Sequence, residues 1–241
     1  MSQTKSNASF LYIVALICLI TIALFMFSKS DFFLVKDIRF EGLNNVEGDE
    51  VLKLLGTVKG ENIFLVDTNV LAQKVKLHPL IAQAVVQKKY PGTLILEIRE
   101  RLPAALILNK DRMVEVDSQA IILRVYDTWP QKDCPVLTGV EVPETIGPGQ
   151  KISNLNLQKG LLVIGQASSE LKTLIGEIHI SEDGQLLIYL TNKIKVKMGF
   201  GEEYSAKLKI LEELLGSTEF KTVEKAIKYI DLTAGKPVLG R

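Results

Sequence analysis

The sequence predicts an α+β protein: a single N-terminal transmembrane helix, a small β-α-α-β-β domain, then a mixed β-sheet domain with flanking helices. Three observations carry that reading. Residues 10–27 form an apolar run without charge, Gly or Pro. Thr93 to Glu100 alternates, with Leu94, Leu96 and Ile98 facing one way and Thr93, Glu97 and Arg99 on or near the other face. Before it, Val51, Leu54 and Leu55 share one helical face, and Leu71 and Val75 lie one turn apart on another. Two such helices cover one face of a strictly alternating sheet.

The N-terminal run, FLYIVALICLITIALFMF, has Thr21 as its most polar member apart from the amphipathic Tyr12. Hydrocarbon offers no partner to backbone N–H and C=O groups, so such a run is a helix. At about 1.5 Å per residue it spans about 27 Å, close to the hydrocarbon thickness. A cleaved leader has a shorter apolar core and a small-x-small cleavage site, whereas Ser28-Lys29-Ser30-Asp31 follows here. A soluble helix of this length shows a polar face. The run therefore reads as a retained anchor. Residues 1–9, with Lys5, read as a short cytoplasmic tail. The long remainder reads as extracytoplasmic, because long segments translocate largely regardless of charge. Residues 28–33 read as a short link that keeps the first folded unit near the membrane.

Composition bounds the rest. The chain has 29 Lys and Arg against 28 Asp and Glu, so no basic field for nucleic acid exists. At about 100–200 residues per domain, residues 34–241 make one or two domains. Cys18 lies in the anchor and Cys134 far outside it, so they do not pair and the fold is not disulfide-stapled. Cys134 reads as a small buried hydrophobe.

In order, Leu34, Ile38 and Phe40 mark a first strand, and Gly42-Leu43-Asn44-Asn45 a turn. Gly56 stops the first helix. Lys59 to Asn62 turns, and Ile63 to Val66 is a short apolar run. Asp67 or Thr68 caps a second helix reaching about Leu77, and His78-Pro79 ends it. Ile81 to Lys88 is a strand, and Tyr90-Pro91-Gly92 turns the chain into Thr93 to Glu100.

Here the residues bring a family into view. Pro79, Ile81, Ala84, Val86, Lys88, Tyr90, Pro91, Thr93, Leu94, Leu96, Ile98, Glu100, Arg101, Pro103 and Ala105 stand as in the POTRA domain of the FtsQ/DivIB family of bacterial cell-division proteins. Upstream, Gly42, Gly60, Asn62, Phe64 and Asp67 fit the same pattern. The layout of tail, single span and membrane-proximal domain also resembles that family. The likeness covers about residues 34–103, and many members carry Trp where this chain has Tyr90. POTRA domains also occur in outer-membrane assembly proteins; the single span and the downstream region favour the division family.

The second domain, residues 104–241, opens with strands at Ala104 to Leu108, Met113 to Val116 and Ile121 to Val125. The family hairpin usually has Gly near Ala120, a departure. Pro135 to Gly139 resembles the family's Pro-x-Leu-x-Gly segment. Leu155 to about Leu174 is mostly helical, with Leu161, Leu162 and Ile164 as core candidates. Strands at Glu177 to Ile180, Gln185 to Leu190 and Ile194 to Met198 form a meander around Asp183-Gly184 and Asn192-Lys193. Tyr204 to Leu215 is an amphipathic helix with Leu208, Leu211 and Leu215 inward. Ala226 to Leu232 is the final strand, and Tyr229 to Leu232 resembles the family's terminal motif.

A final strand at a sheet edge carries a row of open N–H and C=O groups, which a partner can use by β-augmentation. The resemblance implies the same: the family's C-terminal strand receives a segment of FtsB or its counterpart DivIC. Carried over, the expected contacts are Tyr229, Asp231, Thr233, Lys236 and Val238. The aromatic or Arg residues that some members place near Thr233 and Arg241 are missing here. FtsL and, downstream, a septal peptidoglycan synthase are the other implied partners.

No catalytic, cofactor or metal site is expected. The two histidines, His78 and His179, have no ligand-spaced companions. Gly199-Phe200-Gly201 lacks the third glycine and βαβ setting of a dinucleotide loop. Glu47/Asp49 and Glu202/Glu203 sit at helix starts, where carboxylates complement the dipole. The reading is a non-enzymatic division scaffold at the septal cell membrane. Its rivals are a POTRA-bearing assembly or secretion component and an anchored cell-wall hydrolase.

Overall fold

The computed structural model describes residues 3–143, 145–201, 203–234 and 236–241, with the backbone alone for 3–9. The chain divides into two compact units, Met1–Glu100 and Arg101–Arg241.

The first unit begins with α1 (Gln3–Ser28), a helix of 26 residues. Its stretch Phe10–Ser28 is long and apolar enough to cross a membrane, and none of it is buried by the protein. Residues 28–33 are more than a bare link. After Ser28 the chain makes a single 3-10 turn, Asp31–Phe33, which brings Phe32 and Phe33 against Phe27. Strand β1 (Asp37–Glu41) leads to α2 (Gly48–Leu55) and α3 (Thr68–Val75). Asp67 caps α3, its carboxylate accepting from the N–H groups of Asn69 and Val70. Between the helices, residues 63–65 of the apolar run form a turn.

Strands β2 (Ile81–Lys89) and β3 (Thr93–Glu100) complete a sheet of order β1-β3-β2, with β1 parallel and β2 antiparallel to β3. The period-2 pattern decides its faces. Leu94, Leu96 and Ile98 are buried with Ala84 and Val86, alongside Val51, Leu55, Leu71 and Val75 of the helices. Val85, Gln87, Glu97 and Arg99 face solvent, where Gln87 Nε2 donates to Glu97 Oε1 at 2.6 Å.

Glu100 shares the inward phase of β3, and its carboxylate is buried. It accepts from the backbone N–H groups of Asn44, Asn45 and Val46 at 2.8–3.0 Å, and from Asn45 Nδ2 at 2.9 Å. Burial pushes this carboxyl up, but the hydrogen bonds from Asn44, Asn45 and Val46 together outweigh it and hold it below the ordinary carboxylate range. The turn between β1 and α2 is thus built around one anion.

The second unit is a nine-stranded mixed sheet. Its strands are β4 (Pro103–Asn109), β5 (Arg112–Asp117), β6 (Ile122–Tyr126), β7 (Val136–Thr138), β8 (Ile175–Ile180), β9 (Leu186–Leu190), β10 (Lys195–Gly199), β11 (Tyr229–Asp231) and β12 (Val238–Gly240). Helices α4 (Leu155–Gln166) and α5 (Ser169–Leu174) fall between β7 and β8, and α6 (Tyr204–Gly216) and α7 (Thr218–Val223) between β10 and β11. The spatial order is β12-β11-β10-β9-β8-β7-β4-β5-β6.

Leu157, Leu161, Ile164, Leu208 and Leu211 bury against the sheet with Leu137, Ile178, Ile188 and Val196. Leu162, expected in the core, is half exposed, because it lies one residue off the stripe that holds Leu161 and Ile164. Ala120 keeps the tight hairpin turn with φ +62°, a conformation usually left to Gly, and its methyl is buried. Asp117 holds this turn: its Oδ1 accepts from Gln119 N and Ile121 N, and its Oδ2 accepts from Arg101 Nη1 at 2.7 Å.

Candidate functional site

The C-terminal corner of the large sheet differs from the sequence-based expectation. Residues 224–226 form a 3-10 turn, so the strand expected over 226–232 is only Tyr229–Asp231. Nor is that strand an edge. β11 pairs in parallel with β10, Lys195 opposite Tyr229, and antiparallel with β12, Tyr229 opposite Gly240 and Asp231 opposite Val238. The expectation that Tyr229 to Leu232 presents a free ladder is corrected: its own chain flanks it on both sides. The free ladder belongs to β12, which ends the strand order.

The geometry of that edge is specific. Gly240 turns its carbonyl inward, accepting from Lys228 N at 2.8 Å. Backbone groups alternate sides along a strand, so Leu239 turns its N–H and C=O to the open side. Val238 and Leu239 carry exposed apolar side chains. Beside Leu239 lies a groove of about 550 Å3, lined by Leu214, Phe220 and Val223 with Ser217 and Thr222. At the opposite margin of the sheet, the start of β6 is covered: Ile122 N donates to Gln150 O, and Gly149 N donates to Ile122 O.

The five expected contact residues split into two groups. Tyr229 and Asp231 brace the corner from within. The Tyr229 ring lies where a Cβ on Gly240 would come within 2.0 Å of it, so only glycine lets the ring cross the strand. Lys197 Nζ sits 4.7 Å from the centre of that ring and 3.7 Å from Asp231 Oδ2. Asp231 Oδ1 also accepts from Thr233 N at 2.9 Å and Thr233 Oγ1 at 2.6 Å, which closes the turn after β11. The Thr233 hydroxyl and N–H, aided by Lys197, hold the Asp231 carboxyl below its ordinary range against a partial burial that raises it. Lys236 and Val238 are exposed on the turn and on the edge strand, so they are accessible where the first group is structural. Gly235, between them and Thr233, lies outside the described residues.

The sequence reading missed Leu239, Gly240 and the groove. A signal existed: Gly235 and Pro237 punctuate two short apolar runs, the pattern of a hairpin. Three residues are too few for a period-2 pattern to declare itself.

Comparison with known proteins identifies the family. Residues 33–101 match the family described as "POTRA domain, FtsQ-type", and residues 105–233 match "Cell division protein FtsQ/DivIB, C-terminal". The chain belongs to the FtsQ/DivIB family of cell division proteins. It is 26% identical to the cell division protein FtsQ of Syntrophotalea carbinolica over 98% of this chain and 82% of the relative. It is 27% identical to FtsQ of Anaeromyxobacter sp. over 84% and 69%. It is 26% identical to the cell division protein DivIB of Clostridium botulinum over 94% and 89%. A division role therefore follows from membership. The C-terminal match stops at residue 233, so β12 lies beyond the matched stretch, whereas the groove residues Leu214 to Val223 lie within it.

Both histidines have structural partners. His78 Nδ1 accepts from Leu80 N, leaving Nε2 to donate to Glu50 Oε2 at 2.9 Å. His179 Nδ1 lies 2.7 Å from Thr138 Oγ1 across the β7–β8 ladder. Cys134 is half-buried, and burial together with the Glu115 charge raises its thiol above the ordinary range. Glu47 and Asp49 stand at the start of α2, and Glu203 precedes α6, whereas Glu202 lies outside the described residues. Among the described residues, no group of three or more His, Cys, Asp and Glu could hold a metal ion.

Proposed function

We propose that this FtsQ/DivIB family member is a non-enzymatic division scaffold whose β12 edge receives an extended segment of an FtsB-like or DivIC-like protein. The observation that carries the reading is the outward N–H and C=O of Leu239 beside an apolar groove, in a chain of this family. Main-chain hydrogen bonds supply affinity in such a mode, and side-chain pockets supply specificity. Val238 and Lys236 are the side chains within reach of the added strand. Tyr229, Asp231 and Thr233 act through the corner they hold.

The domain plan supports a membrane-tethered adaptor: cytoplasmic tail 1–9, membrane helix 10–27, link 28–33, POTRA domain 34–103 and β domain 104–241, with both domains extracytoplasmic at the septum. Tethering raises the local concentration of partners in the same membrane, so individually weak contacts suffice. An FtsL-like protein and, indirectly, a septal peptidoglycan synthase complete the assembly. Incubation with purified peptidoglycan tests the non-enzymatic part, since cleavage would favour the hydrolase alternative.

Leu239→Pro is the decisive variant. It deletes the outward donor while leaving the inward bonds of Val238 and Gly240 to β11, whereas a proline within 228–233 would break ladders already made. Partner binding, measured by copurification and titration, should weaken by about tenfold or more, equivalent to about 1.4 kcal/mol, with the unfolding transition retained. Unchanged binding would remove the edge-strand mode.

A further inference from the structure

The end of the first unit that adjoins α1 is apolar, aromatic and open. Ring centres step from Phe27 to Phe33 (5.2 Å), from Phe33 to Phe32 (5.1 Å) and to Phe64 (4.9 Å), and from Phe64 to Tyr90 (5.2 Å). This row joins the last turn of the membrane helix to two separate loops of the domain. The carbonyls that end α1 are all engaged: Phe25 O by Ser28 Oγ, Met26 O by Lys29 N, Phe27 O by Ser30 N, and Ser28 O by Asn62 Nδ2 at 2.7 Å. The domain is therefore seated on the helix end.

An ordinary satellite core would bury such a cluster. Here Leu65 is 84% exposed, Tyr90 55%, Phe32 53% and Phe64 46%. Lysines border the patch. Lys29 Nζ lies 4.5 Å from the Phe25 ring centre, Lys88 Nζ donates to Phe64 O at 3.3 Å, and Lys89 is exposed.

We propose that this face is a lipid-binding surface: Phe32, Phe64, Leu65 and Tyr90 enter the headgroup and upper acyl region of the same bilayer that α1 spans, with the lysines near lipid phosphates. Continuity chooses lipid as the occupant. Residues 10–27 are apolar on every side, and Phe32 follows Ser28 by four residues, a reach of at most about 14 Å. The interfacial layer on one side of a bilayer is about 5–8 Å thick, so the patch begins where the hydrocarbon ends. Aromatic rings with a polar tip and long cationic side chains are the groups that settle at this depth. The sequence carries the patch on residues 27, 32–33, 64–65 and 90, so only folding assembles it.

The proposal rests on α1 spanning the membrane, and the test separates the two. The full chain carries Trp129→Phe, which removes its one tryptophan. Single probes Leu65→Trp, Ile20→Trp and Leu77→Trp are reconstituted in phosphatidylcholine and phosphatidylglycerol vesicles. Leu77 is 73% exposed and precedes β2, whose nine residues put it about 25–30 Å from Tyr90. Quenching is read with lipids brominated near the carbonyl, with lipids brominated deep in the tails, and with aqueous acrylamide.

The expected result is shallow-bromine quenching and a blue-shifted emission for Leu65→Trp, with acrylamide quenching at least about threefold below that of Leu77→Trp. Ile20→Trp should respond to the deep bromines. If it does, and Leu65→Trp is as open to acrylamide as Leu77→Trp, the surface proposal falls while the anchor stands. If Leu65→Trp is shielded from acrylamide yet insensitive to bromine, protein covers the patch and the lipid assignment is overturned. An Ile20→Trp variant insensitive to deep bromines would overturn the anchor, and this proposal with it.

Discussion

Gly139→Ala is expected to destabilise the second unit by about 4 kcal/mol, an effect large enough to consume much of a domain's stability. Gly139 ends β7 with φ +73°, which costs an L-residue about 1–2 kcal/mol. Its Cβ would then stand 1.8 Å from the carbonyl oxygen of Ile180 and 2.8 Å from its carbon. That obstacle is backbone of β8, which is tied into ladders with both β7 and β9, so it cannot swing aside like a side chain. The strands must part by more than an ångström, an overpacking cost of about 1–3 kcal/mol or more. Thermal unfolding of the full chain should shift down by about 8–16 °C, since a unit of this size loses about 2–4 °C per kcal/mol. Hydrogen exchange should rise first in residues 136–139 and 175–180. A shift under about 2 °C would mean that β8 yields more easily than its ladders suggest.

Glu100→Gln is expected to loosen the first unit by about 3 kcal/mol. Carboxylate hydrogen bonds contribute about 1.5–3 kcal/mol each when formed to a charge, although water recovers part of that at an exposed turn. The isosteric amide does not replace the anion. One of its two ends is an NH2, which would face a cluster composed only of donors: Asn44 N, Asn45 N, Val46 N and Asn45 Nδ2.

The pH dependence distinguishes this from lost packing. The carboxyl is held below its ordinary range in the folded chain, so its contribution is present above about pH 4.3, the unfolded-chain value, and is lost as pH falls through the lower folded value. The parent protein should therefore show rising exchange at residues 42–55 as the solution is acidified through that window. The variant should show fast exchange there at neutral pH and a flatter response to acid. Parallel pH curves for the two would remove the anion from the account of this turn.

Glu100 also shows how much was legible beforehand. It stands two residues after Ile98, in phase with the buried face of β3, so a carboxylate pointing inward was readable from the alternation. Its partners were not, because Asn44 to Val46 are more than fifty positions away in sequence. Leu162 went the other way: a continuous apolar run in α4 hid which residue faced out until the sheet chose a side. The edge strand was misplaced for a related reason. Tyr229–Asp231 lies late in the chain, yet its neighbours β10 and β12 come from both directions, and β12 is three residues long.

The sequence by itself determined the apolar N-terminal helix, the β-α-α-β-β unit, the helical and meander segments of the second unit, and the family, because each rests on local periodicity, turn residues or an extended motif. Only the tertiary structure decided which ladder is left open and which apolar side chains gather at the helix end. Both depend on contacts between distant segments, and a repeat of 2 or 3.6 residues says which way a side chain faces but not which neighbour will cover it.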